Sequence, residues 1–279
     1  MLYIIATPIG NLDDITLRAI KALKECDLIL CEDTRESKKL LFHLEIKKKL
    51  LSYHSFNEKE REDEIIDRLK SGETLCLISD AGTPLINDPG ATLIQRLLKE
   101  DLKFTALPGP CSVINALLLS GMRSERFQFM GFLPKKSGEK RSFVLKALSF
   151  HGTSLVFESP RRLLKTLKEI DEIAPQVRLA VIREMTKRYE ERVSGTPKEI
   201  AQHFASKEVK GEIVLVFEKH QSEIECTLDE ILALLQEELG LSLKEAIKKA
   251  AHLMGKSKRE VYKYALDQSG TDGESKTDH

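Results

Sequence analysis

The chain has 279 residues, and its 44 lysines and arginines balance 44 acidic residues, so its formal net charge is zero. With 41% hydrophobic residues, this composition is typical of a globular protein long enough for two domains. No apolar run approaches the roughly 18 residues that a membrane-spanning helix needs, so we expect no membrane partner.

The amino terminus, MLYIIATPIG, has no basic segment before its short apolar run. It therefore predicts a first strand rather than a secretion signal. The five cysteines are an odd number without a CxxC pair, and several lie in apolar runs, where a cysteine acts as a small hydrophobic residue. A reduced, cytoplasmic protein is the simplest interpretation.

Short apolar runs then alternate with amphipathic segments through the first 120 residues. The runs LYIIA, DLILC, TLCLI and KFTAL predict buried strands, and the leucine pair at 50–51 predicts a further one. Helical periodicity fits residues 16–25, 34–44, 58–70, 91–100 and 112–119. This alternation predicts a mainly parallel sheet covered by helices on both faces.

A second series begins after SGMRSER, residues 120–126. Its predicted strands are FQFMGF, TSLVF, RLAVI and EIVLVF, and its predicted helices lie near 139–149, at 160–173 and near 197–206. We therefore predict two α/β domains, residues 1–122 and 123–219.

The character of the chain changes after these domains. Three helix patterns in residues 226–268 each open with Ser or Thr followed by an acid, which predicts a small helical appendage. Residues 269–279 contain no apolar side chain and are predicted to form a disordered tail.

Unusual polar loops follow the five strands predicted in the first domain: TPIGNLDD, CEDTRESKK, SYHSFNE, SDAGTPLINDPG and LPGPCS. Because ligands bind outside the carboxyl ends of strands in open parallel sheets, five such loops favour a binding site over a set of well-capped turns.

The longest of these loops is SDAGTPLINDPG. Gly82 and Gly90 allow positive φ and close backbone approach. Pro84 and Pro89 fix φ. Asp88 or Pro89 is predicted to begin the next helix, whose free N–H groups would face a polar or anionic ligand.

Several ligand classes lose support from the sequence. Neither GxGxxG nor GxxxxGK[ST] occurs, which argues against nicotinamide and P-loop nucleotide sites. Glu32 lies where a Rossmann carboxylate would hold ribose, but the glycine fingerprint that this role requires is missing. No metal site is predicted, because His43, His54 and His151 have no paired spacing.

Nine motifs are diagnostic as an ordered set: ATPIGNLDDITLRA, CEDTR, HSFNE, ISDAGTPLINDPG, LPGPCSVINALLLSG, FMGFLPKK, FESPRRL, REMTKRYEE and KGEIVLV. The set resembles the ribosomal RNA small subunit methyltransferase I family, whose fold is that of the tetrapyrrole (corrin/porphyrin) methylases. The resemblance covers residue 2 to about 218, and the appendage resembles that family's helical tail. CEDTR with SDAGTP distinguishes the family from tetrapyrrole enzymes, whose first loop is glycine-rich. Small departures are Asn87, where the family usually has Ser, and FESPRR in place of YESPHR.

The resemblance implies S-adenosylmethionine as cofactor, held in a cleft between the two domains, and a homodimer. It implies 2′-O-methylation of a cytidine in the decoding region of 16S ribosomal RNA, in the 30S subunit. The cofactor-binding residues that it implies are Pro8, Asp80, Ala81, Gly82, Thr83, Ser112, Phe132, Leu133, Phe157, Glu158, Ser159 and Arg183.

A ribose hydroxyl is a weak acid and must lose its proton during or just after attack, so a base or a stabilising cation would help. REMTKRYEE and CEDTR supply both kinds of group: Glu184, Lys187, Glu32 and Arg35. We hypothesise that Lys187 or Arg35 stabilises the developing alkoxide and that a neighbouring carboxylate receives the proton. Surface salt bridges are the alternative for Glu184 and Lys187. Asp80 and Glu158 could bind the cofactor or move the proton.

Local positive charge predicts contacts with RNA phosphates. Residues 134–146 carry five bases and one acid, a local charge of +4, and residues 244–263 carry seven bases and two acids, a local charge of +5. The predicted contacts are Lys135, Lys136, Lys140, Arg141, Arg161, Arg162, Lys248, Lys249, Lys258 and Arg259. The appendage is interpreted as an RNA-holding module, with a packing or dimer element as the alternative.

Two rival functions remain at this stage. The same fold could methylate a tetrapyrrole or another small molecule, although the basic segments and the first loop argue against that. A non-catalytic RNA-binding or ribosome-assembly protein is the other, and the density of polar loops at the strand ends argues against it.

Overall fold

The structure is a computed structural model and describes residues 1–218, 227–237 and 240–269. Contacts along the chain divide it into two compact units, Met1–Lys219 and His220–His279. The predicted tail lies outside the described residues except for its first, Ser269, which ends the last helix.

The first sheet of the larger unit contains five parallel strands in the order β3-β2-β4-β1-β5. The strands are β1 Leu2–Ile5, β2 Leu28–Cys31, β3 Lys49–Ser52, β4 Leu75–Ile78 and β5 Phe104–Leu107. The helices that follow them are α1 Leu17–Glu25, α2 Thr34–His43, α3 Glu58–Lys70, α4 Ala91–Lys99 and α5 Ser112–Ser120. The predicted elements of this series, and the parallel sheet, are confirmed.

Alternation along the strands divides the core into two faces. Ile5, Ile29 and Cys76 pack on one face with α1 and α2. Leu30 and Leu75 pack on the other face with α3 and α4. Because β2 and β4 are buried on both sides, they read as continuous apolar runs in the sequence.

The start of α4 differs from the prediction. The helix begins at Ala91 with Gly90 as its N-cap, so the expectation that Asp88 or Pro89 begins it is wrong. The physical reason is the backbone before it: Asn87 has φ +69° and Gly90 has φ +116°, and neither value is helical.

The second sheet has the order β6-β7-β10-β8-β9 and is mixed. Its strands are β6 Phe127–Phe132, β7 Thr153–Glu158, β8 Leu179–Arg183, β9 Glu191–Gly195 and β10 Ile213–Phe217. Only β6 and β7 are parallel, because β10 runs antiparallel to both β7 and β8, and β9 forms a hairpin with β8. This sheet therefore differs from the first, in which all five strands are parallel. Its helices are α6 Ser137–Ser149, α7 Leu163–Ile173 and α8 Pro197–Phe204.

Helix α5 connects the two sheets. Val113 and Leu117 pack in one cluster with Leu155 of β7, Ile182 of β8 and Val214 of β10. The amino terminus of α5 lies next to the loops of the first sheet, so this helix fixes the second sheet relative to those loops.

The smaller unit contains α9 Leu228–Glu237, α10 Leu243–Leu253 and α11 Lys258–Ser269. Leu232, Ile247 and Val261, one from each helix, share a buried cluster. A capping box between Ser242 and Glu245 fixes the start of α10. Across the described parts of the chain, every helix is too short or too polar to cross a membrane.

Candidate active site

The loop after β4 is pinned to its neighbours by paired hydrogen bonds. The backbone of Thr7 and Gly82 exchanges two hydrogen bonds, of 2.9 and 3.0 Å, which join this loop to the loop after β1. The Ser79 hydroxyl donates to the Gly82 carbonyl at 2.8 Å, and the Thr83 hydroxyl donates to the Pro110 carbonyl at 2.9 Å. Three loops therefore form one structure at the carboxyl edge of the first sheet.

The same loop contains unusual backbone conformations. Leu85 and Asn87 have φ of +72° and +69°, which non-glycine residues rarely adopt. Gly90 has φ +116°, and a Cβ placed on it would lie 2.7 Å from Leu85 Cδ2. A Cβ placed on Gly131 of β6 would lie 3.0 Å from Asn87 Oδ1, so the loop closely approaches the second sheet.

An open cleft lies where this loop meets α5, β6 and β7. Its volume is about 160 Å³, and it opens to solvent. The lining residues are Ala81, Thr83, Ile86, Asn87, Asp88, Cys111, Ser112, Phe132 and Phe157. The rings of Phe132 and Phe157 are 5.2 Å apart, and Phe132 is 54% exposed. The cleft therefore combines an aromatic wall with a polar loop.

The first turn of α5 contributes backbone donors to the cleft. Its N-cap, Cys111, makes no side-chain cap hydrogen bond, and Cys111 and Ser112 both line the cleft. The first N–H groups of a helix have no partner within the helix, so this end can bind an anionic group.

Three carboxylates influence one another at the same edge of the sheet. Burial, together with the negative charges of Glu32 and Asp80, raises the pKa of Asp88 to about 6. Burial also raises the pKa of Glu32 and that of Asp80, although the Asp33 N–H that donates to Asp80 at 3.1 Å opposes the shift of Asp80. In the described residues, no group of three or more His, Cys, Asp or Glu is arranged to hold a metal ion.

A buried network of charged and polar side chains lies behind the aromatic wall. Glu158 accepts hydrogen bonds from Arg162 Nε at 2.7 Å and from the Thr166 hydroxyl at 2.7 Å. Lys140 Nζ donates to the Thr166 hydroxyl at 3.0 Å and lies 2.7 Å from a Glu169 oxygen. This network fixes the segment around the wall because Arg162 also donates to the Leu133 carbonyl at 2.9 Å.

The network changes the roles expected of three residues. Lys140, predicted as a phosphate contact, is instead a structural residue with a side chain only 2% exposed. Arg162, also predicted as a phosphate contact, donates hydrogen bonds to Glu158 and to the Leu133 carbonyl. The Glu158 carboxylate is occupied by Arg162, by Thr166 and by the Ser159 N–H at 2.6 Å, so it supports the cleft wall from behind.

The predicted catalytic residues of REMTKRYEE lie behind the loop after β1. Lys187 Nζ is 2.9 Å from Glu184 Oε1 and 3.4 Å from Glu212 Oε2. Burial disfavours the Lys187 charge, but the hydrogen bond with Glu184 and the negative charges of Glu212 and Glu184 together outweigh it, so the pKa of Lys187 is raised. Thr186 and Lys187 pack against Gly10. Neither Glu184 nor Lys187 is among the lining residues of the cleft.

Arg35, from CEDTR, makes a bidentate pair with Asp33, with Nη2 2.6 Å from Oδ2 and Nε 3.1 Å from Oδ1. Hydrogen bonds from Arg35 lower the pKa of Asp33 to about 2. The Arg35 side chain is 85% exposed, and Glu32, one of the three carboxylates, is half-buried; neither residue lines the cleft.

The expected cofactor residues separate into three sets. The structure brings together Ala81, Thr83, Ser112, Phe132 and Phe157 in the lining. The residues in the supporting segments beside these are Pro8, Asp80, Gly82, Leu133, Glu158 and Ser159. Arg183 alone forms the third set. Its side chain pairs with Glu191 at 2.6 Å and donates to the Lys210 carbonyl, rather than lining the cleft.

Sequence reasoning missed four lining residues: Ile86, Asn87, Asp88 and Cys111. All four lie in motifs that had been singled out as loops. The density of turn residues signalled the loop but not which side chains it turns inward.

Most of the predicted RNA-binding residues are exposed. In the larger unit these are Lys135, Lys136, Arg141 and Arg161, and in the smaller unit they are Lys248, Lys249, Lys258 and Arg259. Lys136 lies 3.1 Å from Glu139, an exposed pair that costs little to break.

Comparison with known proteins gives a consistent result. The sequence profile described as Tetrapyrrole (Corrin/Porphyrin) Methylases matches residues 1–201, and one described as RsmI C-terminal HTH domain matches residues 222–269. A protein of Escherichia coli O157:H7 named Ribosomal RNA small subunit methyltransferase I is 42% identical over 277 residues, covering 96% of each chain. A protein of that name from Halalkalibacterium halodurans is 40% identical, covering 94% of this chain and 93% of its own.

Solved structures show the same fold at low identity. Diphthine synthase matches with a TM-score of 0.62 and 16% identity, covering 78% of this chain and 89% of its own. Uroporphyrin-III C-methyl transferase from Thermus thermophilus, complexed with S-adenyl homocysteine, matches with a TM-score of 0.53 and 18% identity, covering 78% and 96%.

Proposed function

Since this chain belongs to the tetrapyrrole (corrin/porphyrin) methylase family, we propose that it methylates the ribose 2′-oxygen of a cytidine in the decoding region of 16S ribosomal RNA. The methyl donor of the family, S-adenosylmethionine, supplies an already activated methyl group, so positioning provides much of the rate. The names of the 40–42% identical relatives support ribosomal RNA as the substrate class.

The observation that carries the proposal is the chemical match between the cleft and this donor. Phe132 and Phe157 offer aromatic surface for an adenine ring. The uncapped start of α5 suits a carboxylate. Asp80 places negative charge beside the cleft, which suits a sulfonium or an ammonium group. The residues present therefore fit the donor.

Methyl transfer from labelled S-adenosylmethionine to 30S subunits tests the proposal directly. The subunits come from a strain lacking this gene, and nuclease mapping locates the label. We expect label on one cytidine 2′-oxygen. Label on a base contradicts the proposal. Donor binding without labelled RNA favours a small-molecule substrate, and absence of donor binding refutes the assignment of the cleft.

Exposed bases beside the cleft are proposed to hold RNA phosphates. Replacing both Lys135 and Arg161 with alanine is expected to flatten the plot of log binding constant against log salt by about 0.7 per lost contact, as for single-stranded RNA. Filter binding at several salt concentrations measures the slope. Lys21→Ala, at an exposed position on α1, is the matched control and should leave the slope unchanged. Equal slopes in all three proteins contradict the phosphate contacts.

Lys187 and Arg35 are the proposed cations that stabilise the alkoxide. The single-turnover rate of Lys187→Ala or Arg35→Ala is expected to fall by tenfold or more at saturating donor, since a stabilising charge near the developing alkoxide is lost. Rapid-quench measurement checks both variants. Unchanged rates in both would leave Lys187 as a structural partner of Glu184 and Glu212.

A cytoplasmic homodimer completes the proposal. The helical unit is proposed to hold RNA through its exposed bases, among them Lys248 and Arg259. The profile match over residues 222–269, described as a C-terminal HTH domain, supports an accessory role for this unit.

A further inference from the structure

One carboxylate in the cleft has no role in holding the fold together. Asp88 lines the cleft and is half-buried, yet no other described residue makes a hydrogen bond or ion pair with its side chain. Asp80, by contrast, accepts the Asp33 N–H at 3.1 Å, and Glu32 is absent from the lining. A half-buried, unpaired carboxylate destabilises a protein, so its presence calls for a functional reason.

The backbone conformation on either side of Asp88 holds this residue in a fixed position. Leu85 and Asn87 adopt left-handed φ, and Asn87 Oδ1 packs close to Gly131 of the second sheet. Strained conformations of this kind persist only where the surrounding structure over-determines them, and they cluster at active sites. The loop therefore holds Asp88 in the same cleft as Phe132 and the start of α5.

We propose that Asp88 is the proton acceptor of the methyl transfer and receives the proton of the substrate hydroxyl as its oxygen attacks. This inference rests on the proposed function. The O–CH3 bond forms as the S–CH3 bond breaks, sulfur keeps the electron pair, and the hydroxyl proton moves to a carboxylate oxygen of Asp88. One positive and one negative charge disappear together, so the cleft gains no net charge during the step.

The electrostatic surroundings suit this role. Burial first, and then the charges of Glu32 and Asp80, raise the pKa of Asp88 to about 6. The other titratable groups nearby are the Cys111 thiol in the lining and Glu58, which accepts the Gly90 N–H at 3.2 Å. A general base is most effective when its pKa lies near the working pH. Asp88 is then ionised, and still basic, at pH 7 to 8.

The first test is Asp88→Asn, which keeps the size of the side chain and removes the basic oxygen. We expect the single-turnover rate to fall about 100-fold or more, while S-adenosylmethionine affinity, measured by calorimetry, changes less than about threefold. Glu36→Gln is the control, because it removes a charge from α2 outside the cleft. Glu36→Gln should retain both the wild-type single-turnover rate and the wild-type affinity for S-adenosylmethionine. A retained rate, or a loss confined to affinity, overturns the proposal.

The pH dependence gives a second test. The wild-type rate should rise with pH up to about 6 and then level off, because only the ionised carboxylate accepts a proton. Asp88→Asn should lack this inflection. Persistence of the inflection in the variant refutes the assignment to Asp88.

A third readout does not depend on activity. Carboxyl NMR of the 13C-aspartate-labelled wild-type chain should show one aspartate titrating near pH 6, and that signal should be missing in Asp88→Asn. In Asp80→Asn the same signal should titrate at lower pH, because a neighbouring negative charge is gone. An Asp88 signal at the ordinary aspartate pKa overturns the inference.

Failure of the inference can be separated from failure of the proposed function. Mapping of the wild-type product reports on the function alone, whereas the ratio of Asp88→Asn to wild-type rates reports on the proton acceptor. If the wild type labels a different proton-bearing group in RNA, the rate ratio still decides the role of Asp88. If it labels nothing, the proposed function fails, and the NMR titration still tests the raised pKa of Asp88 on its own.

Discussion

Glu158→Gln should lower the free energy of unfolding by about 3 kcal/mol or more. The Glu158 side chain is fully buried and its carboxylate accepts from Arg162, Thr166 and the Ser159 N–H. In the variant, the neutral amide no longer gives the Arg162 charge an anionic partner. Its N–H2 group also faces groups that themselves donate hydrogen bonds. Urea unfolding followed by circular dichroism measures the loss, since the chain has no tryptophan to report by fluorescence.

The matched control for this change lies on α7, the helix that carries Thr166. Glu172→Gln makes the identical substitution at an exposed position of α7 and should change stability by less than about 0.5 kcal/mol. Glu158→Gln should also weaken donor binding, because Arg162 anchors the Leu133 carbonyl beside the aromatic wall. Equal stability of the two variants would show that the network contributes little.

Gly90→Ala is the second change with a large expected effect. The φ of +116° strains any residue with a Cβ, at about 1–3 kcal/mol. The new Cβ would also lie 2.7 Å from Leu85 Cδ2 and 3.4 Å from Leu77 Cδ2, and such overpacking costs about 1–3 kcal/mol more. Thermal and urea unfolding should both report the loss. Methyl transfer should fall as well, because Leu85 belongs to the loop that carries Asp88.

Alanine substitutions at two other glycines separate the cost of backbone strain from the cost of the contact with Leu85. Gly72 has φ +93° with no atom within 4 Å of its built Cβ, so Gly72→Ala isolates the backbone strain. Gly138 has neither constraint, so Gly138→Ala should be neutral or slightly stabilising. If Gly72→Ala and Gly90→Ala cost the same, the contact with Leu85 contributes nothing.

The elements whose own residues carry a clear hydrophobic pattern were predicted correctly from the sequence. The buried runs of β2 and β4 and the periodicity of α3 carry their own signal, so these boundaries were recovered almost to the residue. Strand β9 was missed, because ERVSG is short, polar on alternate residues and bordered by the charged REMTKRYEE segment. The direction of β10 was also unreadable, since an apolar run is the same in either orientation.

The candidate site likewise contains some residues that the sequence could predict and others that it could not. Loop positions at the carboxyl edge followed from the topology of a parallel sheet, so Ala81, Thr83 and Ser112 could be anticipated. The network of Lys140, Thr166 and Glu158 could not, because pairing across 26 residues leaves no local trace. Asp88 was misread as a helix start, since the left-handed backbone of Asn87 depends on tertiary packing against β6.

The place of β10 has a consequence for biosynthesis. It is the last strand of the larger unit in the chain, yet it lies in the middle of the second sheet, between β7 and β8. The first sheet is complete once residue 107 has left the ribosome. Until residue 217 emerges, the nascent chain holds one parallel strand pair and one hairpin with a central gap between them. Unpaired strand edges attract other chains, so the interval between these two points is when a translating copy is most exposed to aggregation and to chaperones.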